Sequence, residues 1–202
     1  MERRGQGGPD EDMGIVASVR KGDVDQFERL VVKYQKMAFN IAYRMTGSYE
    51  DAGDVVQDAF VSAYRNLHAF RGMSRFSTWL CSIVVNLSKN RLLQTKTARQ
   101  HAAYSLDDPV ETDDGPIAGD IASGEPSVLE KLEEEETRRR VQDCIGRLET
   151  EFREAIVLRD IQGFSYEEMA GMLGIAEGTV KSRLFRAREA LKDCLKGVMG
   201  EL

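Results

Sequence analysis

Long apolar runs, strand alternation and clustered metal ligands are all missing from this chain of 202 residues. No apolar stretch approaches the ~18 residues that a membrane-spanning helix needs. The N-terminal stretch MERRGQGGPDEDMG contains no apolar segment of the kind a secretory signal carries. Together these absences predict a soluble, cytoplasmic protein. Histidine occurs only at His68 and His101, and Cys81, Cys144 and Cys194 lie far apart with no C-x-x-C pair. A zinc centre needs several nitrogen or sulfur ligands at close spacing, so no metal is expected. Scattered thiols in helical patterns are expected to pack as small reduced hydrophobes rather than to form a disulfide framework. No nucleophile–base pair and no phosphate-cradling glycine loop argues for chemistry, so the chain is read as a non-enzyme without cofactor.

With period-two alternation absent, helical periodicity is the organising signal. Proline is scarce, and three of the four prolines (Pro109, Pro116, Pro126) fall in one polar stretch. Acidity is equally concentrated. Residues 105–136 hold twelve Asp/Glu and one Lys, which leaves the remainder of this net −6 chain at +5. Such a stretch cannot bury enough apolar surface to offset its ordering entropy. The expected organisation is all-α: a disordered tail over 1–12, a helical domain over 13–95, a flexible acidic linker over 96–129, and a second helical domain over 130–202. Within the first domain, helices are predicted over about 24–45, over about 49–68 with Val56, Phe60, Ala63 and Leu67 on one stripe, and from about Phe76 onward.

In the second domain, SYEEMAGML has Ser165 and Glu168 at capping-box spacing. Gly174 follows, where a left-handed helix end favours glycine. A short helix, a tight turn and a basic helix make the outline of a helix-turn-helix. Winding the second helix at about 100° per residue puts Leu184, Ala187, Leu191 and Leu195 within about 60° of Val180. Ser182, Phe185 and Arg186 point the other way, with Lys181, Arg183 and Arg188 on the flanks. A solvated basic face accounts for the cations but not for Phe185, because a large ring facing water marks a contact surface. A DNA major groove would meet these residues with phosphates, guanine edges and thymine methyls. Ala176 occupies the cap position of this helix without a side-chain oxygen, a loss of about 1 kcal/mol relative to Ser.

In the first domain, DVVQDAF and the preceding turn put Asp51, Asp54 and Asp58 on one helix face, which by itself reads as a solvated acidic surface. No general-base histidine accompanies them, so paired carboxylate catalysis is not indicated. The stretch FRGMSRFSTWLCSIVVN joins a basic, aromatic loop to a helix carrying Trp79 and Asn86. Trp79, the single tryptophan, reads as core. Phe70, Arg71, Ser74 and Arg75 sit in a glycine-containing loop where single-stranded bases could stack and be hydrogen-bonded.

These motifs in this order, from GDVDQFERLVVKY through DVVQDAFVSAYRNL and FRGMSRFSTWLCSIVVN to SYEEMAGMLGIAEGTVKSRLFRAREAL, resemble a bacterial RNA polymerase sigma factor of the extracytoplasmic-function (ECF) group. The resemblance spans about residues 13–95 and 130–197. It implies a protein that lends promoter specificity to core RNA polymerase and opens promoters. The first domain is similar to sigma region 2. There Asp51, Asp54, Gln57 and Asp58 would dock on the clamp helices of the polymerase β′ subunit. Phe70, Arg71, Ser74, Arg75, Phe76 and Asn86 would hold a flipped base of the −10 element. The second domain is similar to sigma region 4, which would lie near the polymerase β flap. There Arg159, Lys181, Ser182, Phe185, Arg186 and Arg188 would meet the −35 element. The linker would thread toward the RNA exit channel, and an anti-sigma factor would wrap both domains. Three rivals are weighed against this, of which a helical nucleic-acid enzyme has no catalytic constellation to support it. A dimeric regulator using only its helix-turn-helix leaves DVVQDAF and the aromatic loop unexplained. A polymerase-binding adaptor that ignores DNA leaves Phe185 and Arg186 unexplained.

Overall fold

Apolar residues at three- and four-residue spacing set the first four helices, and local caps set their ends. The computed structural model describes residues 9–103 and 128–199. Helix α1 (Pro9–Arg20) leads into α2 (Gln26–Thr46). The inner face of α2 carries Phe27, Leu30, Tyr34, Ala38, Ile41, Ala42 and Met45, all buried. It stops at Gly47, whose φ of 76° is left-handed and whose N–H caps the Tyr43 carbonyl. Ser48 then accepts the Asp51 amide at 3.2 Å and starts α3 (Tyr49–Arg65). Fully buried Ala38 and Ala42 on α2, with Ala52, Ala59 and Ala63 on α3, let these helices approach closely. A 3₁₀ turn (Leu67–Ala69) and a loop lead to α4 (Phe76–Ala103), which packs across both.

The second module begins with α5 (Val128–Arg147), followed by α6 (Thr150–Ile156), a π turn (Val157–Ile161), α7 (Tyr166–Leu173) and α8 (Glu177–Met199). The capping box at Ser165 and Glu168 forms in both directions, and Gly174 takes the left-handed conformation at φ 66°. The stripe on α8 faces inward: Val180 and Ala187 are fully buried and Leu184 is 2% exposed.

The two modules share a core. One apolar cluster runs from Leu30, Met45 and Leu80 through Ile145, Leu158 and Met169 to Leu184. Their junction is built on the C-terminus of α2, whose last carbonyls have no partner within the helix. Gln142 Nε2 donates to the Tyr43 carbonyl at 3.3 Å while Arg44 Nη1 donates to Gln142 Oε1 at 2.8 Å. Arg153, 8% exposed, donates to the carbonyls of Met45 in the first module and of Gly146 and Leu148 in the second. One guanidinium thus caps the ends of α2 and α5 together, and burial pulls it below its ordinary range. Lys89 Nζ lies 3.1 Å from the buried Glu154 carboxylate, and Thr78 Oγ1 lies 3.4 Å from Glu168 Oε1.

Four features depart from the sequence reading. Pro9–Asp12, assigned to a disordered tail, open α1; Asp12 is 4% exposed, pairs with Lys33 at 2.5 Å and accepts the Tyr34 hydroxyl. Residues 96–103 and 128–129, assigned to the linker, are helical ends of α4 and α5. The remainder of the expected tail and linker, 1–8 and 104–127, lies outside the described residues. Helix α3 ends at Arg65 rather than His68, because the chain tightens into the 3₁₀ turn. Finally, Cys144 and Cys194 form a disulfide between α5 and α8, with their Cα atoms 5.8 Å apart, so only Cys81 behaves as the expected buried thiol. Among the described residues no helix is long and apolar enough to cross a membrane.

Candidate functional site

Three surfaces carry the residues singled out by sequence. The first is the outer face of α8. Burying Val180, Leu184 and Ala187 forces residues on the opposite side outward. Phe185 is 69% exposed, with Ser182 and Arg186 exposed beside it. Covering such a ring would release about 1.5–3 kcal/mol of hydrophobic free energy, so its exposure favours a partner. Arg186 makes no ion pair among the described residues. Ser182 Oγ turns back to donate to the Thr179 carbonyl at 2.9 Å.

The flanking cations are held by neighbouring rings, carbonyls and carboxylates. Arg159 donates to the Phe164 carbonyl at 2.7 Å and stacks on Tyr166, 4.7 Å from the ring centre. Lys181 approaches the same ring at 5.6 Å and pairs with Glu177 at 3.7 Å. Tyr166 therefore orients two cations at the edge of the outer face. Sequence reading missed it, although its place directly after the Ser165 cap fixes its direction. Arg188 is held by an acidic neighbour. Its guanidinium is forked onto Asp160 at 3.0 and 2.6 Å, and the hydrogen bond to Asp160 raises it above its ordinary range. It fastens α8 to the π turn while half of its side chain stays exposed. Arg183 likewise pairs with Glu151 at 2.7 Å.

The second surface is the acidic face of α3. Asp58 and Gln57 are exposed. Asp51 and Asp54 share Arg91 of α4, at 2.6 Å to Asp51 Oδ1 and 3.0 Å to Asp54 Oδ2. The hydrogen bond to Asp51 is the main cause of the upward shift of Arg91, followed by the Asp51 charge. Half of the acidic face is thus fixed to α4, and the other half projects into solvent.

The third surface is the loop between the 3₁₀ turn and α4. Here the sequence reading needs correction. Phe70 and Phe76, expected to face a base, are 2% and 1% exposed. They pack edge-on with ring centres 5.8 Å apart, against Trp79 at 5.1 and 5.7 Å and Tyr34 at 5.6 Å from Phe76. Their apolar rings are worth more inside this cluster than in water, and Trp79 is core-packed as expected. Arg20 reinforces the loop from below, donating to the carbonyls of Leu67 and Phe70. The residues left outside are Arg71, Met73, Ser74 and Arg75. Met73, at 89% exposure, is the most exposed large apolar side chain described. Gly72 next to it has φ 71°, and a Cβ there would lie 2.9 Å from Met13 Cε. Asn86 is exposed on α4, about 15 Å along the helix from Phe76. Among the described residues no three His, Cys, Asp or Glu side chains gather as a metal site requires.

Two family models match the chain. Residues 30–97 match Sigma-70 region 2, and residues 138–191 match Sigma-70, region 4. The RNA polymerase sigma-H factor of Pseudomonas aeruginosa is 35% identical over 192 residues, covering 95% of this chain and 97% of that protein. The ECF RNA polymerase sigma-E factor of Escherichia coli K12 is 39% identical over 182 residues, covering 90% and 93%. Among solved structures, the sigma factor RpoE in complex with the anti-sigma factor NepR from Bartonella quintana superposes with a TM-score of 0.64 at 25% identity, covering 84% of this chain and 96% of that one. CnrH in complex with the cytosolic domain of CnrY gives 0.62 at 28% identity, covering 91% and 96%.

Proposed function

The chain belongs to the sigma-70 family, among its extracytoplasmic-function members, and from that premise we propose how its three surfaces divide the work of promoter recognition. The protein is a sigma factor and directs promoter-specific transcription initiation by RNA polymerase. Its relatives act without catalysing a reaction, and this chain acts in the same way, in the cytoplasm where the polymerase is.

The outer face of α8 enters the major groove of the −35 element. Phe185 and Arg186 contact bases, Ser182 contacts bases or phosphate, and Lys181 and Arg159 meet the backbone from their positions on Tyr166. The loop reads the melted −10 element with Arg71, Ser74, Arg75 and Asn86 at its surface, while Phe70 and Phe76 act from beneath by fixing its shape. Asp58 and Gln57, with Asp51 and Asp54 held by Arg91, dock on the β′ clamp helices of core polymerase. The second module lies near the β flap. An anti-sigma factor is the remaining partner, as in the two superposable complexes.

The observation that carries this reading is Phe185, 69% exposed on a helix whose opposite stripe is buried. In vitro transcription with core polymerase on a promoter library tests it. Wild type yields transcripts sharing two sequence elements. The Phe185→Ala, Arg186→Ala double variant binds polymerase normally and loses selection at the upstream element. Unchanged selection in that variant removes the assignment.

A further inference from the structure

The bond between Cys144 and Cys194 joins α5 to the far half of the recognition helix. The near half of α8 is well fastened without it. Val180, Leu184 and Ala187 are buried, Arg183 pairs with Glu151, and Arg188 pairs with Asp160. Between residues 188 and 197 no side chain is buried: Leu191, Cys194 and Leu195 are half-buried and the others are exposed. Lys192 pairs with Glu189 at 4.0 Å, an ion pair within the helix itself. Leu191 touches the small cluster of Leu148, Phe152 and Ile156. The disulfide is thus the strongest tie between this end of the helix and the body of the module.

Its two sulfurs are not equivalent. Cys144 is fully buried, with Gln142 and Ile145 buried on either side of it. Cys194 is half-buried beside the exposed Asp193. Thiol–disulfide exchange needs in-line access to the sulfur attacked, so Cys194 is the reachable one. In a reducing compartment a disulfide that forms is characteristically transient and redox-sensing rather than structural. We propose that Cys144 and Cys194 are a thiol–disulfide exchange site for low-molecular-weight thiols and disulfides, with Cys194 the reacting sulfur and Cys144 the resolving one, and that its state fixes or frees the far half of the recognition helix. In the reducing direction a small thiolate attacks Sγ of Cys194. The Cys144 sulfur leaves with the bonding pair and takes a proton, and the small thiol stays on Cys194 as a mixed disulfide. A second small thiolate attacks the small thiol's sulfur in that adduct. This releases the small disulfide and the Cys194 thiolate, which is protonated. In the oxidising direction the Cys194 thiolate attacks a small disulfide and expels one small thiolate. The Cys144 thiolate then attacks Sγ of Cys194, expels the second and closes the bond.

This inference rests on the cytoplasmic reading above, but it is tested without polymerase or DNA. The full chain is reduced, freed of reductant and mixed with oxidised glutathione, then quenched with acid and mapped by mass spectrometry. Wild type should carry one glutathione on Cys194 at early times and then lose it as the Cys144–Cys194 bond closes. Cys144→Ser removes the resolving sulfur and should hold the adduct on Cys194. Cys194→Ser should form an adduct at Cys144 about tenfold more slowly or not at all, because that sulfur is sealed. The wild-type time course needs no substitution, so it decides the order of attack even where a variant unfolds. Hydrogen exchange reads the consequence. Residues 189–199 should exchange at least about fivefold faster in the reduced chain than in the oxidised one, with α3 unchanged. Early adducts on Cys144 overturn the assignment of the reacting sulfur. Equal exchange of 189–199 in the two states overturns the control of the helix end. A bond that survives a buffer of excess reduced glutathione overturns the exchange site altogether and makes the disulfide structural, while the sigma-factor reading stands untouched.

Discussion

Met73 and Phe76 stand three residues apart and do opposite things. Phe76 is 1% exposed and touches the rings of Tyr34, Phe70 and Trp79. Phe76→Ala therefore removes a packed ring and leaves a cavity, a loss of about 3–5 kcal/mol, read as a lower urea midpoint. Met73 at 89% exposure touches almost nothing, so Met73→Ala should leave that midpoint within about 0.5 kcal/mol of wild type. If the loop meets unpaired bases, the same variant should still reduce promoter opening, followed by permanganate footprinting. Cys81 makes a third prediction. Burial pushes its thiol up, and the nearby Glu168 carboxylate adds to the shift. The sign follows from linkage. The folded state keeps the proton that the unfolded state releases above about pH 8.5, so this contribution is fully present at lower pH and declines as pH rises. Urea titrations of wild type and Cys81→Ala should therefore differ in slope above about pH 8.5, with wild type losing up to about 1.4 kcal/mol more per pH unit.

At the scale of the element, α7 and α8 are capped unequally. Ser165 and Glu168 satisfy two amide donors at the start of α7. Ala176, ahead of α8, offers no side-chain acceptor. Ser165→Ala should lose about 1 kcal/mol, and Ala176→Ser should gain a similar amount, both measured by thermal or urea unfolding. These ends were legible in the sequence because a cap is local: three residues and a glycine decide it. The inward stripe of α8 was legible for the same reason, since periodicity alone sets Val180, Leu184 and Ala187 against Phe185. The loop before α4 was not. Its composition announces aromatics and cations, but whether Phe70 points at solvent or core depends on Tyr34 and Trp79 on two other helices. The ion pair of Arg188 was equally hidden: its winding angle was legible, yet its partner Asp160 lies 28 residues away in the chain.

At the scale of the whole molecule, sequence gave two modules but not their union, because the junction rests on pairs separated by about a hundred positions, such as Arg44 with Gln142. Nor do sparse cysteines reveal a partner when helix geometry, not spacing, brings them together. The Cys144–Cys194 bond closes a loop of 50 positions that contains α6, α7 and the reading half of α8. Constraining the unfolded chain over such a loop stabilises the folded state by about 2–4 kcal/mol in the chain-entropy account. The bond also fixes α8 against α5, the helix from which Gln142 reaches the end of α2. Reductant should therefore lower the melting temperature of wild type. The Cys144→Ser, Cys194→Ser pair should melt at the reduced value with or without reductant. Cys81→Ala should respond to reductant as wild type does, because Cys81 is buried and unbonded. Equal melting of oxidised and reduced wild type would show that the bond does not stabilise this module in solution.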